Sequence, residues 1–380
     1  MMKGLRQRIL NDIESTRGLA TKMAKLAGYA TAAKFKEMIS KENGDIEKFD
    51  GFVRVVHHMY PEEKFELMSE FAKTLNPNTI TARFMLEYLT LYKLAEDKKN
   101  LLELMLNASN EESKEWAFVY HIDNMLINEE IDAEDAIHKL VTKNYITNDM
   151  KVFSKIVQFY AHLDKQNINT LKSIHQEILE TIEGIKQDFS RNTFKARFFA
   201  INSRVNLLNG NSAIKDDIFL VRNALNPIKA NNFLQYANSH MFNDYKKVKE
   251  YLDEADSYAL DNPTIQKEIV KSRNFAAIYY RDFSSYTKDG DFSNELYYYC
   301  MKKEQVLAEA ILEKIDFNKL TDYQKGFNCY YRGLLYGDKK LLCKSVAYFN
   351  VCGDKYYKRL PVEELGKLGV EEFYLEALVS

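Results

Sequence analysis

The 380-residue chain is 46% hydrophobic, holds only 5 Pro and 14 Gly, and has a net charge of −2. That length supports a sizeable core and more than one domain, and the sparse turn punctuation, with Leu, Ala, Lys and Glu at helical spacing, argues for an all-α chain. The near-neutral charge excludes a protein that binds nucleic acid over its whole surface; any such contact must come from a local patch.

The N-terminal segment MMKGLRQRILNDIE carries charges where a signal peptide needs an apolar core. The chain up to Lys41 holds Lys3, Arg6, Arg8, Arg17, Lys22, Lys25, Lys34, Lys36 and Lys41 against Asp12, Glu14 and Glu37, a local charge of +6. Within it, LATKMAKLAGYATAAKFKEMI (residues 19–39) has helix-turn-helix form. Leu19, Met23, Leu26 and Ala27 follow helical spacing, Gly28 suits a left-handed helix end, and a second helix starts near Thr31 with Phe35, Met38 and Ile39 inward. Phe49, Phe52, Val53 and Val56 predict a third helix closed by Tyr60-Pro61. Lys22, Lys25, Thr31, Lys34 and Lys36 are the candidate DNA-contacting residues. Phe35 falls one residue later than usual for such a motif, and a helical cap with solvated charges is the competing reading.

From Pro61 onward the pattern changes to helix pairs. Predicted helices cover 62–75, 79–95, 101–107, 111–128, 133–143, 150–163, 168–183, 193–208, 213–225, 230–241, 245–260, 266–280, 294–302, 305–315, 324–336, 339–351 and 356–360. Short polar turns such as Asn76-Pro77-Asn78 and Asn209-Gly210-Asn211 separate them. The αα-hairpins recur at about 34 to 45 residues, the period of tetratricopeptide-like solenoids, whose groove holds a peptide or protein segment. Aromatics recur on first helices (Tyr160, Phe199, Tyr236, Tyr330) and small residues on second helices (Ala224, Ala255, Ala310, Ala347). The predicted fold is all-α: a helix-turn-helix head over residues 1–60, then a tetratricopeptide-like superhelix of αα-hairpins over 61–380 ending in a dimerisation segment. The closing apolar helix carries Leu365, Leu368, Phe373, Leu375 and Leu378.

No P-loop, G-x-S-x-G or H-E-x-x-H occurs, and no carboxylate pair has catalytic spacing. Cys300, Cys329, Cys343 and Cys352 form no C-x-x-C pair. The expectation is no enzyme, no cofactor, no metal site, and a cytoplasmic protein with free thiols and no membrane span. In the Tyr-rich C-terminal stretch, Asp354 beside Tyr356 and Tyr357 suits a guanidinium, or alternatively the N-terminus of the following helix.

The segments LATKMAKLAGY, PEEKFELMSEF, TARFMLEY, SKEWAFVYHI, NDMKVFSK, FNDYKKVKEY, GFNCYYRGL and FNVCGDKYYKRLP occur in one order along nearly the whole chain. Together they resemble the arbitrium peptide receptors (AimR) of SPβ-type Bacillus phages, a family that includes YopK-type paralogues. The resemblance implies a dimeric lysis–lysogeny regulator that binds phage promoter DNA through the head and senses a short phage peptide in the groove. It implies peptide contacts at Asn238, Asp354 and Tyr356. The family's Ser-Asn step is Ser203-Arg204 here, and Asn202 and Asn206 flank Arg204 as further candidate peptide contacts. A family Asn corresponds to Ala277, and Tyr323-Gln324-Lys325 stands where receptors carry Asn-Glu-Leu. The alternative is a diverged paralogue acting by protein–protein contact with a phage repressor, without hexapeptide or strong DNA binding.

Overall fold

A computed structural model describes residues 4–41, 44–164, 168–210 and 224–379. Among them the chain forms 21 α-helices, two short 3-10 turns and no strand. The predicted helix 213–225 lies largely outside the described residues. By its contacts the chain divides into two units, Met1–Phe198 with Arg222–Ile228, and Phe199–Val221 with Lys229–Ser380.

The head belongs to the first unit and has four helices: Leu5–Ser15, Leu19–Leu26, Ala32–Ser40 and Phe49–Met59. The first was not among the expected elements, because its apolar residues Leu5, Ile9 and Ile13 are diluted by charge. That helix packs on the second and third, and Met23, Phe35, Ile39, Phe52 and Val56 are buried. Each such buried side chain contributes about 1.5–3 kcal/mol.

The rest of the first unit runs through hairpins. The helices Ile80–Leu91, Ala95–Leu106 and Glu111–Ile127 pack in sequence, and the first also touches the third. That stacking is what a helical-hairpin repeat requires. The expected single helix 79–95 is broken: Lys93 takes φ 58°, Leu94 N–H donates to Leu89 O at 3.0 Å, and the next helix begins at Ala95. Glu129, Arg281 and Lys303 also take positive φ after helix ends. Without glycine these stops leave no sequence signal.

In the second unit, Asp322–Tyr336 and Lys339–Val351 form the tightest hairpin. Its crossing depends on Gly326 and Gly333, where an added Cβ would lie 2.9 Å from Phe349 Cε1 and 2.6 Å from Leu342 Cδ2. Ser345 Oγ donates to Gly326 O at 2.7 Å across the same contact. Of the four small residues noted on second helices, Ala224 and Ala255 are buried and the other two are not. Ala310 and Ala347 are exposed, while Ala308 and Ser345 face inward. The close approach comes from the glycines of the first helix, so the second needs no alanine at 347.

The C-terminus also differs from expectation. Residues 355–358 form a turn, and two helices follow, Arg359–Lys367 and Glu372–Val379, separated at Gly369 with φ 78°. All four cysteines are unpaired, and only Cys343 is exposed. Among the described residues no helix is long and apolar enough to cross a membrane.

Candidate functional site

Two places in the molecule carry the sequence-predicted residues, one in each unit. In the head, the helix Leu19–Leu26 ends in a Schellman motif: Tyr29 N–H donates to Ala24 O at 2.8 Å and Gly28 N–H to Lys25 O at 3.1 Å. Gly28 takes φ 76°, a value that a side chain would strain. Thr31 then caps the next helix, its Oγ1 accepting from Lys34 N–H at 3.3 Å. This five-residue connection accounts for the late Phe35, whose buried ring meets Tyr29 at 5.8 Å.

The basic residues divide by role. Lys22, Lys25 and Lys34 are exposed. Thr31 is exposed but its hydroxyl is committed to the cap. Lys36 is half-buried and pairs with Glu14 at 3.5 Å. Arg6 turns inward: at 7% exposure its guanidinium donates to the carbonyls of Met38, Lys41 and Gly44. Arg8 forms a bidentate pair with Glu63, both contacts 2.9 Å, and lies over the Tyr60 ring. The outward basic patch is therefore smaller than the composition of residues 1–41 suggests.

In the second unit a cavity of 510 Å³ opens between helices. Asn226–His240 lines it with Asn231, Leu234, Gln235 and Asn238, and Pro263–Tyr279 with Glu268, Lys271, Ser272 and Phe275. Both sets follow i, i+3 or i+4, i+7, the period that places residues on one helical face. Arg204, Leu207 and Leu208 come from a third helix, and Tyr356 and Tyr357 from the turn before Arg359. The lining mixes amides, which donate and accept, with apolar rungs. Lys271 is neutralised by Glu268 at 3.1 Å and Asp291 at 3.5 Å. Asn294 is fixed by donating to Lys271 O at 2.9 Å.

Asp354 lies behind this wall, 1% exposed. Its Oδ1 accepts from Tyr357 N–H at 2.7 Å, while its Oδ2 is buried without a partner. Burial pushes the carboxyl up to about 6, against the backbone N–H bonds from Tyr357 and Tyr356 and the charge of Arg204. One oxygen thus does the turn-holding work and the other is left over. Tyr356 is 4% exposed and its hydroxyl donates to Asn238 O at 2.5 Å.

A second cavity of 240 Å³ shares Phe275, Ser293, Asn294 and Tyr357 with the first. It is walled by Leu296, Ile315, Leu320 and Phe327, and the side-chain amide of Asn328 meets it with both heteroatoms buried and unpartnered.

Of the six peptide candidates, Arg204, Asn238 and Tyr356 line the first cavity, and Asp354 supports it. Asn202 and Asn206 are half-buried and do not line it. Two residues along a helix is a rotation of about 200°, so they face away from Arg204's side. Ala277 is fully buried in the core. Sequence reasoning missed Asn231, Gln235, Lys271, Asn294 and Asn328. The signal was present in the amide spacing 231, 235, 238, which places three amides on one helical face. Among the described residues no group of three His, Cys, Asp or Glu is placed to hold a metal ion.

Comparison with known proteins gives the chain its relatives. The family model described as AimR transcriptional regulator-like matches residues 64–367. The AimR transcriptional regulator of Bacillus phage phi3T is 26% identical over 372 residues, covering 96% of this chain and 97% of that protein. The AimR transcriptional regulator of Bacillus phage SPbeta is 25% identical over 388 residues, with all of both chains covered. The SPbeta prophage-derived uncharacterized protein YopK of Bacillus subtilis (strain 168) matches to the same extent. A solved structure of selenomethionine phAimR superposes with a TM-score of 0.81 at 25% identity, covering 99% of this chain and 100% of that one. A second, described as phAimR-Ligand, gives 0.73 at 24% identity over 86% of this chain and 99% of that one. The chain belongs to the AimR transcriptional regulator-like family.

Proposed function

We propose that the chain is a dimeric, DNA-binding regulator of the phage lysis–lysogeny decision, whose second unit senses a short peptide. The observation that carries the reading is the 510 Å³ cavity, into which the helix Asn226–His240 turns the amides of Asn231, Gln235 and Asn238. Side-chain amides at one-turn spacing suit the alternating N–H and C=O groups of an extended peptide. Asn231, Gln235 and Asn238 are the rungs, Arg204 and Tyr356 the flanks, and Asp354 holds the turn that carries Tyr356 and Tyr357. Residues 1–60 serve as the DNA-reading domain, with Lys22, Lys25 and Lys34 on phosphates, and 61–380 as the sensing domain. Phe373 and Tyr374 on the last helix are 74% and 59% exposed, which supports docking of this segment on a second copy. The working place is the cytoplasm of a bacterial host.

The test has two arms. Titration of duplex fragments from phage promoters at several salt concentrations should show binding that falls steeply with salt and is lost in Lys22→Ala/Lys25→Ala/Lys34→Ala. Calorimetry with hexapeptides from related phages should show binding that weakens in Asn238→Ala. A folded chain that retards no duplex and binds no hexapeptide would leave the protein–protein reading, contact with a phage repressor, in its place.

A further inference from the structure

The helix Ala32–Ser40 turns Phe35 and Ile39 inward, so its outer face is Ala33, Glu37 and Ser40, flanked by Lys34 and Lys41. A carboxylate sits at the centre of that face. Its one ion pair is to Lys41 at 2.9 Å, with the two side chains 61% and 66% exposed. An exposed i, i+4 pair of this kind is easily exchanged. The other exposed charges of this helix and the one before it, Lys22, Lys25 and Lys34, are basic, while the exposed Glu14 of the first helix pairs with Lys36. If the head held DNA by phosphates alone, Glu37 would only oppose it.

Resting on the DNA-reading head proposed above, we infer that Glu37 is a sequence-reading residue, accepting a hydrogen bond from the exocyclic amino group of a cytosine in the major groove. A carboxylate accepts from cytosine N4 and is repelled by every phosphate, so it trades general affinity for discrimination. Lys41 passes from Glu37 to a phosphate as the helix docks. Ala33 lies one turn earlier, about 6 Å along the axis. Its methyl, unencumbered and exposed, meets a thymine methyl one or two base steps from the cytosine. The helix is held for this work from behind, through the Arg6 guanidinium on the carbonyls of Met38 in its last turn and of Lys41 and Gly44 beyond it.

The experiment selects bound duplexes from a randomised pool with the wild-type chain, Glu37→Gln and Glu37→Ala, and measures salt-dependent binding of each to an unrelated duplex. Glu37 is exposed and makes no buried contact, so the variants keep the fold; thermal melting checks this. The expected result is a fixed cytosine in the wild-type site. It relaxes about tenfold in Glu37→Ala and shifts toward adenine in Glu37→Gln, while binding to the unrelated duplex tightens in both. A wild-type site whose base preferences are unchanged in both variants overturns the inference and leaves the DNA reading standing. Failure of the wild-type chain to bind any duplex overturns both.

Discussion

The hydroxyl of Tyr356 donates to the backbone carbonyl of Asn238 at 2.5 Å, joining residues 118 positions apart. One of these supplies an amide to the cavity and the other part of its aromatic wall, so the bond sets the spacing between them. Tyr356→Phe keeps the ring contact with Phe242 at 4.7 Å but leaves the carbonyl of Asn238 with the Met241 N–H, at 3.2 Å, as its remaining donor. We expect a loss of about 1 kcal/mol in denaturant unfolding. Hexapeptide binding should weaken with it, whereas DNA binding by the head should not change.

Glu87 and Arg197 form a buried bidentate pair, Nε to Oε1 at 2.8 Å and Nη2 to Oε2 at 2.9 Å, and Tyr120 adds a hydrogen bond to Oε2 at 2.6 Å. Arg197→Met strands a carboxylate that is 0% exposed. It should cost about 3–5 kcal/mol, and the double variant Glu87→Met/Arg197→Met should recover much of that. A double-mutant cycle by urea unfolding reads the coupling; an additive result would show that the pair does not act as one unit.

Gly51 lies against the end of the second head helix. A Cβ there would come within 2.3 Å of Ala27 O and 2.9 Å of Ala27 Cα, both backbone. Neither side can yield as a side-chain tip would. Gly51→Ala should therefore destabilise the head by about 3 kcal/mol or more. Amide hydrogen exchange should show protection lost over residues 19–59 but kept in the second unit.

The Asp354 carboxyl is raised by burial from 3.8 to about 6 in the folded chain. The folded state therefore holds this proton more tightly than the unfolded state. Stability from it is complete below pH 4 and is lost as the pH rises through 6. Compared with Asp354→Asn, the wild-type chain should lose about 2–3 kcal/mol between pH 4 and pH 7.5. Arg204→Gln removes the charge that opposes the rise, and the midpoint should move higher. Carbon-detected titration of the carboxyl reads both midpoints; a wild-type midpoint near 4 would contradict the burial argument.

Periodicity exposed the helices because their apolar faces repeat every three to four residues, as at Phe49, Phe52, Val53 and Val56. Gly28 was legible for the same local reason, since a left-handed stop is a property of a single residue, whereas Thr31, read as a DNA contact, caps the helix with its hydroxyl. What stayed hidden depends on partners. Lys93 ends a helix in a conformation that lysine does not advertise. Ala308 and Ala310 are equally small, and only the packed hairpin decides which faces inward. Resemblance supplied Asn238, Asp354 and Tyr356; Asn202 and Asn206, taken as candidates beside Arg204, are turned by helical phase away from the cavity that Arg204 lines. The charge count at the N-terminus overstated the free basic patch, because Arg6 is spent inside the fold and Arg8 is paired with Glu63 at the surface.

Arg6 has one more consequence. Its guanidinium takes the carbonyls of Met38, Lys41 and Gly44, so the second helix of the motif is completed by a residue from a helix that the motif does not contain. A fragment starting at Leu19 would hold every residue by which a helix-turn-helix is recognised, and would still lack the part that closes it. The smallest autonomous piece of this head is set by its chemistry, and it begins upstream of the pattern that gives the head its label.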